Sequence, residues 1–496
     1  MIKICAHRGD SSRFRENTIQ AITAAISVGC DFVEIDLRLT KDGRVIVLHD
    51  PTLERLWGVS TPAHDLTWSE IQALGNQEMR IPLLEEVLPL FETGSTMLLV
   101  DMEDPAIAER SFEVVLASST PQEMIAWCGH IDAMKIIRSC SREARVWMPW
   151  NDSMAPTVGD IEELDPEFVN LHYGFITEEL VNEIHALGRK VSAWTVDDEF
   201  TFTWATKIGI DSVTTNQLIA SQRLLCSEKF PGTELDLDRA MSLARALGSW
   251  ANEVIRTVGP KSIETKANPA DLVTNIDVMI ERHVREVVTA TFPTHNFIGE
   301  ETAGEFRPGI PTWYLDPLDG TTNFANGIPW SSFSLALALD YSPLLGVVAD
   351  PWRSEIFEAI AGQGAYLNRK PLKISFVERG ESVLSGRVVS TELSAYEPWP
   401  GMLTMLETLA ENFCTMRIMG SGTLSLVGVA ASRGVGAVIG SFSPIDHLAA
   451  TLIVHEAGGV VCDRKGDENL FPLGGGVMVC APQVADALFE IWAAST

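Results

Sequence analysis

At 496 residues the chain is longer than one hydrophobic core usually supports, which predicts two domains of roughly 200 to 260 residues. Its 46% hydrophobic and 21% charged content is ordinary for a globular protein, and no apolar run approaches the ~18 residues of a bilayer span, so a membrane span is excluded. A formal charge of −30 excludes a protein that wraps nucleic acid, because that affinity rests on clustered Lys and Arg.

The first segment, Ile2 to Ala6, reads as a strand with no signal peptide before it, so a cytoplasmic protein is expected. Short β-branched apolar runs follow at Phe32 to Leu37, Val45 to Leu48, Met97 to Val100, Met124 to Trp127, Ala144 to Trp147, Phe168 to Leu171, Val191 to Trp194 and Ser212 to Thr215. They alternate with stretches of helical period, the pattern of a parallel α/β arrangement. That gives nine candidates for the eight strand positions of a barrel. The turn chemistry of Thr40-Lys41-Asp42-Gly43 makes Val45 to Leu48 the suspect. Around Pro231-Gly232-Thr233 the pattern lapses. An amphipathic helix from Leu237 to Val258 then opens a region of mixed helices, extended segments and Gly-rich turns. The predicted organisation is a domain over 1–222, a linker over 223–236 and a second domain over 237–496. Eight cysteines without a C-x-x-C pair predict reduced core thiols.

In an α/β barrel the loops after the strands converge on one mouth, and catalytic groups cluster there. Four polar sets occupy such positions: His7-Arg8-Gly9, Glu34 with Asp36, His49-Asp50, and Asp101. Glu34 and Asp36 lie two apart on a strand and face the same side, inviting a hard divalent cation. Two histidines at one mouth suit general acid and base work on a phosphodiester, and Arg8 suits its non-bridging oxygens. With Glu16-Asn17-Thr18, IPLLEEVL from Ile81, VSAWTVDD from Val191 and IGIDSVTTN from Ile208, residues 3–217 resemble the glycerophosphodiester phosphodiesterase family. The resemblance implies a (β/α)8 TIM-like barrel, His7 and His49 as catalytic histidines, and Arg8 as a phosphate ligand. It also implies Glu34, Asp36 and Asp101 as ligands of Mg²⁺ or Ca²⁺, and Trp194 as an apolar wall near the leaving group. Two departures bear on substrate. Asp101-Met102-Glu103 stands where the family writes Glu-x-Lys, and Arg55-Leu56-Trp57 stands where it writes Arg-Thr-Thr.

Downstream, Trp313 to Phe324 reads WYLDPLDGTTNF, an apolar strand ending in a turn that places two carboxylates and a carbonyl together beside Gly-Thr-Thr amides. Asp271 to Asp277, Gly299-Glu300-Glu301 and Pro444-Ile445-Asp446 add oxygen ligands. Together they suffice for two or three Mg²⁺ ions, which also offset the acidic chain's repulsion of a phosphate substrate. Residues 238–494 resemble the inositol monophosphatase family, which implies a layered αβαβα sandwich. Glu300, Asp316, the Leu318 carbonyl, Asp319 and Asp446 are implied as metal ligands, with Glu300 and Thr321 as the pair that orients water. Gly320 and Thr321 are implied as phosphate binders, and Lys266, Asp271 and Asp277 as the upstream set that helps place a further metal. Gly422 and Thr423, in the Gly420 to Thr423 loop, are candidates to line the same pocket. Ile439 stands where inositol-selective members carry glutamate, and Ile445 where they carry tryptophan.

The expected function is a bifunctional metal-dependent phosphoesterase without nucleic-acid partners, its oligomeric state open. The barrel would hydrolyse a glycerophosphodiester or a sugar phosphodiester of the agrocinopine type, and the second domain would dephosphorylate the resulting sugar or polyol monophosphate. The alternatives are a diester synthase or transferase acting on sugar phosphates, and a regulatory protein with a degenerate barrel.

Overall fold

The computed structural model describes all residues except 1, 77–78, 153, 227–234, 260–261, 266–271, 303, 379–381, 394–396 and 496. The chain divides into two compact units, Met1–Phe230 and Pro231–Thr496. Most of the expected linker, together with Lys266 and Asp271, lies outside the described residues.

Eight strands form the first unit's closed parallel barrel. They are β1 (Lys3–Ala6), β2 (Phe32–Leu39), β3 (Met97–Met102), β4 (Ile125–Gly129), β5 (Arg145–Trp150), β6 (Phe168–His172), β7 (Lys190–Trp194) and β8 (Ser212–Thr215). Closure is made by β1, which pairs in parallel with β8 and with β2, setting Lys3 beside Ser212 and Cys5 beside Phe32. The segment Val45–Val47 stands outside the barrel, antiparallel to β2, as its turn chemistry predicts. Intervening helices start at side chains that satisfy their free amides, including Thr18, Thr157, Thr177 and Asp198. Phe32, Leu99, Trp147 and Phe168 pack inside the barrel with Cys5, Ala126 and Cys128. Large side chains therefore fill the barrel's interior and leave the chemistry to its rim.

The second unit is layered. Its first sheet runs in chain order through β9 (Asn296–Gly299), β10 (Thr312–Asp319), β11 (Ser332–Leu339), β12 (Ser342–Asp350), β13 (Glu355–Ile360), β14 (Ala365–Leu367) and β15 (Lys370–Leu372). All of its pairings are antiparallel except β9 with β10. The second sheet comprises β16 (Val388–Thr391), β17 (Thr415–Ile418), β18 (Gly436–Ile439), β19 (Val460–Asp463) and β20 (Val477–Cys480), in the order β17-β16-β18-β20-β19. Helices α1 (Leu237–Thr257) and α2 (Asn275–Thr291) pack on the first sheet. On the second sheet's outer face lie α3 (Met402–Glu411) and α6 (Ala485–Ala494), which share a core with Val389, Val438 and Met478. Between the sheets lie α4 (Gly422–Ala430) and α5 (Pro444–Glu456). There Leu426, Leu448 and Leu452 meet Val348 and Phe357 of one sheet and Ala437 and Val479 of the other. Apolar residues on nearly every face of α4 and α5 make sense only in such a middle layer. The order is αβαβα.

Among the described residues, no helix is long and apolar enough to cross a membrane. Of the described cysteine side chains, Cys140 is exposed and the other six are buried, so the expectation of core thiols fails at Cys140.

Candidate functional sites

Every barrel strand, or the loop that follows it, contributes to a mouth cavity of about 500 Å³, lined by His7, Arg8, Glu34, Asp36, His49, Leu99, Asp101, Glu103, Cys128, Gly129, His130, Pro149, Asn151, Asn170, Trp194 and Thr214. All seven barrel residues singled out from sequence lie in that set. The parity of β2 turns Glu34 and Asp36 inward together, 4% and 7% exposed. Burial, then the charges of Asp36 and Asp101, push Glu34 well above the usual carboxylate range. Asp101 is pushed up to about 7 by burial and by Asp36, against a hydrogen bond from Cys128.

Arg8 sits at the centre of these acids. Its amide donates to Glu34 at 2.8 Å, its Nη1 donates to Glu16 at 3.0 Å, and its Nε lies 3.1 Å from Asp36. The chain of pairs continues from Glu16 to Arg55 and from Arg55 Nε to Asp50 at 2.6 Å, and Asp50 accepts from His49 Nδ1 at 2.7 Å. Asp50, its carboxyl held down at about 2 chiefly by Arg55, thus fixes the His49 ring through Nδ1. His7 is held likewise, with Nδ1 2.8 Å from Asn216 Oδ1, and burial followed by the Arg8 charge lowers its pKa. The sequence reading did not include Glu16, Arg55 or Asn216 among the site residues, although Glu16 and Asn216 stand in motifs it used.

Glu103 has a partner of its own. Arg38 Nη2 donates to it at 3.1 Å, and Arg38 Nε donates to the His49 carbonyl at 2.9 Å. The acid therefore helps to tether the His49 segment, and its charge is compensated. His172 is absent from the cavity lining and packs edge-on against Trp194, ring centroids 5.2 Å apart.

In the second unit the C-terminal end of β10 gathers the acids. Asp316 is 3% exposed. Burial, then the charges of Glu300, Asp319 and Asp446, push it well above the carboxylate range, so four acids from three distant segments share one locality. Asp319 is pushed up to about 6 by burial, against a hydrogen bond from Ser421. Gly320 closes the turn at φ +88°, and a Cβ there would lie 2.9 Å from the carbonyls of Gly420 and Trp330, so conformation and space both require glycine. Thr321 Oγ1 lies 3.0 Å from Asp277 Oδ1 and 2.9 Å from the Leu318 carbonyl. Asp277 is fixed at the start of α2, where it accepts from the Thr274 amide at 2.8 Å in a capping box. Asp446 occupies the first turn of α5, where a carboxylate suits the helix dipole.

The Gly420 to Thr423 loop touches this cluster. The Thr423 amide donates to Asp319 at 2.8 Å and its hydroxyl to the Asp446 carbonyl at 2.6 Å. Gly422 lies against His447, whose Nε2 would be 2.8 Å from a Cβ at that position. Glu392, not singled out from sequence, accepts from the Gly420 amide at 2.7 Å and from Ser425 Oγ at 2.6 Å. Burial pushes it up to about 7. Ile439 is 4% exposed and belongs to the apolar core between the sheets.

Among the described residues, no three His, Cys, Asp or Glu side chains already converge as a preformed metal shell. In the barrel the acids face Arg8, Asn17 and Cys128 instead. Both clusters nevertheless have the chemistry of a hard-cation site, because burial and mutual repulsion disfavour the charged acids and a divalent ion offsets both.

Residues 235–494 match the inositol monophosphatase family, and residues 7–220 match the glycerophosphoryl diester phosphodiesterase family. The chain is 36% identical over 223 residues to the Nus factor SuhB of Pasteurella multocida, covering 44% of this chain and 82% of that protein. It is 38% identical over 243 residues to inositol monophosphatase 2 of Solanum lycopersicum, covering 47% of this chain and 90% of that protein. Among solved structures, an IMPase of Thermotoga maritima aligns with 52% of this chain and 97% of its own, at 29% identity and a TM-score of 0.46.

Proposed function

We infer a two-step phosphoesterase from one premise: the chain belongs to the inositol monophosphatase family through residues 235–494 and carries a glycerophosphoryl diester phosphodiesterase domain over residues 7–220. Both families are phosphoesterases, and enzymes of the former are metal-dependent, typically using Mg²⁺. The barrel would split a phosphodiester into an alcohol and a phosphomonoester, and the second unit would remove the remaining phosphate. What carries this reading is that each unit has its own cluster of buried acids, one beside two histidines and the other beside a threonine hydroxyl.

In the barrel, Glu34, Asp36 and Asp101 would hold a divalent cation, Mg²⁺ or Ca²⁺, which would supply Lewis-acid stabilisation of the phosphate's charge. Arg8 would bind non-bridging oxygens through its guanidinium. His7, kept neutral by burial and by Arg8, suits the base. His49, its Nδ1 tied to Asp50, suits the acid that protonates the leaving oxygen. In the second unit Glu300, Asp316, the Leu318 carbonyl, Asp319 and Asp446 would hold Mg²⁺. Glu300 and Thr321 would orient the attacking water, and Gly320 and Thr321 would contact the phosphate. Gly422 and Thr423 would border the substrate.

We assign the alcohol to the neutral sugars or polyols. The barrel wall offers Trp194, 37% exposed, as a stacking face. Arg38 pairs with Glu103 at 3.1 Å, which weakens the pull of that acid on a cationic headgroup. In the second unit Ile439 is buried in the apolar core and does not bear on this assignment.

The test supplies Mg²⁺ or Ca²⁺ with a panel of diesters and monoesters and identifies products by mass spectrometry. The expected result is cleavage of glycero- or sugar phosphodiesters followed by phosphate release, with a sugar or polyol phosphate preferred over inositol 1-phosphate. Transfer to an added alcohol without phosphate release would identify a transferase. Preference for inositol 1-phosphate would overturn the substrate assignment.

A further inference from the structure

Glu281 lies on α2 one helical turn beyond Asp277, and it is 1% exposed. Carboxylates are almost never buried so fully unless their oxygens are occupied. Here both oxygens are taken by the segment that follows Glu300. Oε2 accepts from the Glu301 amide at 2.7 Å, and Oε1 accepts from the Thr302 amide at 2.8 Å and from the Thr302 hydroxyl. Arg285, a further turn along, donates to Glu281 at 3.2 Å and to the Thr302 carbonyl at 3.0 Å. The approach is close enough to dictate the preceding residue. A Cβ at Gly299 would stand 2.3 Å from the Glu281 carboxyl carbon, so any larger residue there would have to displace this acid.

Residues on either side of Glu300 are therefore pinned to one carboxylate, by exclusion at Gly299 and by charge-assisted hydrogen bonds at Glu301 and Thr302. The same helix face carries Asp277, which reaches Thr321. We propose that Glu281 is a positioning residue that fixes Glu300 in its working orientation, and that the Asp277 and Glu281 face of α2 aligns Glu300 with Thr321. The proposal rests on the role given above to Glu300, and the experiment separates the two.

Glu281→Gln keeps shape but sets an NH₂ group against an amide N–H, so one of the two amides loses its acceptor. Turnover of the monoester should fall about 10- to 100-fold, as for other residues that orient ligating or reacting groups. KM should stay within about twofold. Mg²⁺ affinity measured by calorimetry should weaken, since Glu300 would be held less firmly. The decisive comparison is the double variant. In a Glu300→Gln background, Glu281→Gln should add no further loss, because its route of action is already cut. Gly299→Ala, which displaces the carboxylate without removing it, should show the same non-additivity if Glu281→Gln fails to fold.

Wild-type turnover in Glu281→Gln, or an undiminished loss on top of Glu300→Gln, would overturn the proposal and leave Glu281 a stabilising residue only. Wild-type turnover in Glu300→Gln alone would overturn the assignment of Glu300, and this inference with it.

Discussion

At the C-terminal end of β6 the His172 ring stacks on Tyr173, centroids 4.9 Å apart, and burial drives its pKa down to about 4. Its Nδ1 accepts from the Gly174 amide at 3.2 Å, which suits a neutral ring. The unfolded chain takes up a proton near pH 6.5 while the folded ring does not, so stability is complete above that pH and is lost as pH falls from 6.5 towards 4. One such histidine contributes a slope of about 1.4 kcal/mol per pH unit in that window. Urea unfolding at pH 6.5 and at pH 5 should therefore show the wild type losing about 2 kcal/mol more than His172→Asn, which keeps an acceptor but does not titrate. Equal losses in the two proteins would refute this. Ile439 is governed by the same physics. The sequence comparison suggests restoring inositol recognition with Ile439→Glu, but at 4% exposure in the apolar core that holds Val477, Leu448 and Val479 an added carboxylate would be cut off from water. We expect that variant to lose about 3 kcal/mol or more of stability, measurable as a lower urea midpoint, before any change of specificity can be read.

Among the elements, the strands were the most legible. Periodicity placed all eight barrel strands, and the turn at Thr40 to Gly43 identified Val45–Val47 as the segment outside the barrel. Parity on β2 likewise told which acids share a face. Contacts made across long sequence separations by ordinary residues were not legible. Glu281 reads as one more acid on an amphipathic helix, and Ser421 as a turn residue, yet they bind the Glu301–Thr302 amides and Asp319. Ile439 read as a substrate contact because its position in the motif says nothing of the sheet that covers it. The elements around β10 carry their own prediction. Burial and the charges of Glu300, Asp319 and Asp446 all act against ionised Asp316, so a divalent ion that satisfies these acids binds the folded state and adds stability by mass action. At 100 times its Kd the gain is about 2.7 kcal/mol. Mg²⁺ should raise the unfolding temperature of the wild type, EDTA should reverse the rise, and Asp316→Asn should respond much less. A thermal midpoint indifferent to Mg²⁺ in the wild type would count against a metal centre there.

At the scale of the whole molecule, the two compact units Met1–Phe230 and Pro231–Thr496 have separate cores and separate candidate sites, so their lesions should be independent. His7→Ala removes the base proposed for the barrel and should abolish diester cleavage while monoester hydrolysis persists. Glu300→Gln should do the reverse, allowing diester cleavage but accumulating the monoester. Loss of both activities in either folded variant would refute independent sites. Mixing the two variants asks whether the intermediate leaves the protein. The monoester made by Glu300→Gln must then diffuse through solution to a His7→Ala molecule. A freely released intermediate gives phosphate after a lag that shortens as the second variant is increased, and the steady rate approaches that of the wild type. Since the chain carries a formal charge of −30, an anionic monoester is repelled at long range, and added salt should relieve that repulsion by screening. We therefore expect a lag that shortens with moderate salt in the mixture. A wild-type reaction with no lag at any salt concentration, beside a mixture that never reaches its rate, would show that the fused chain retains its intermediate between the two steps.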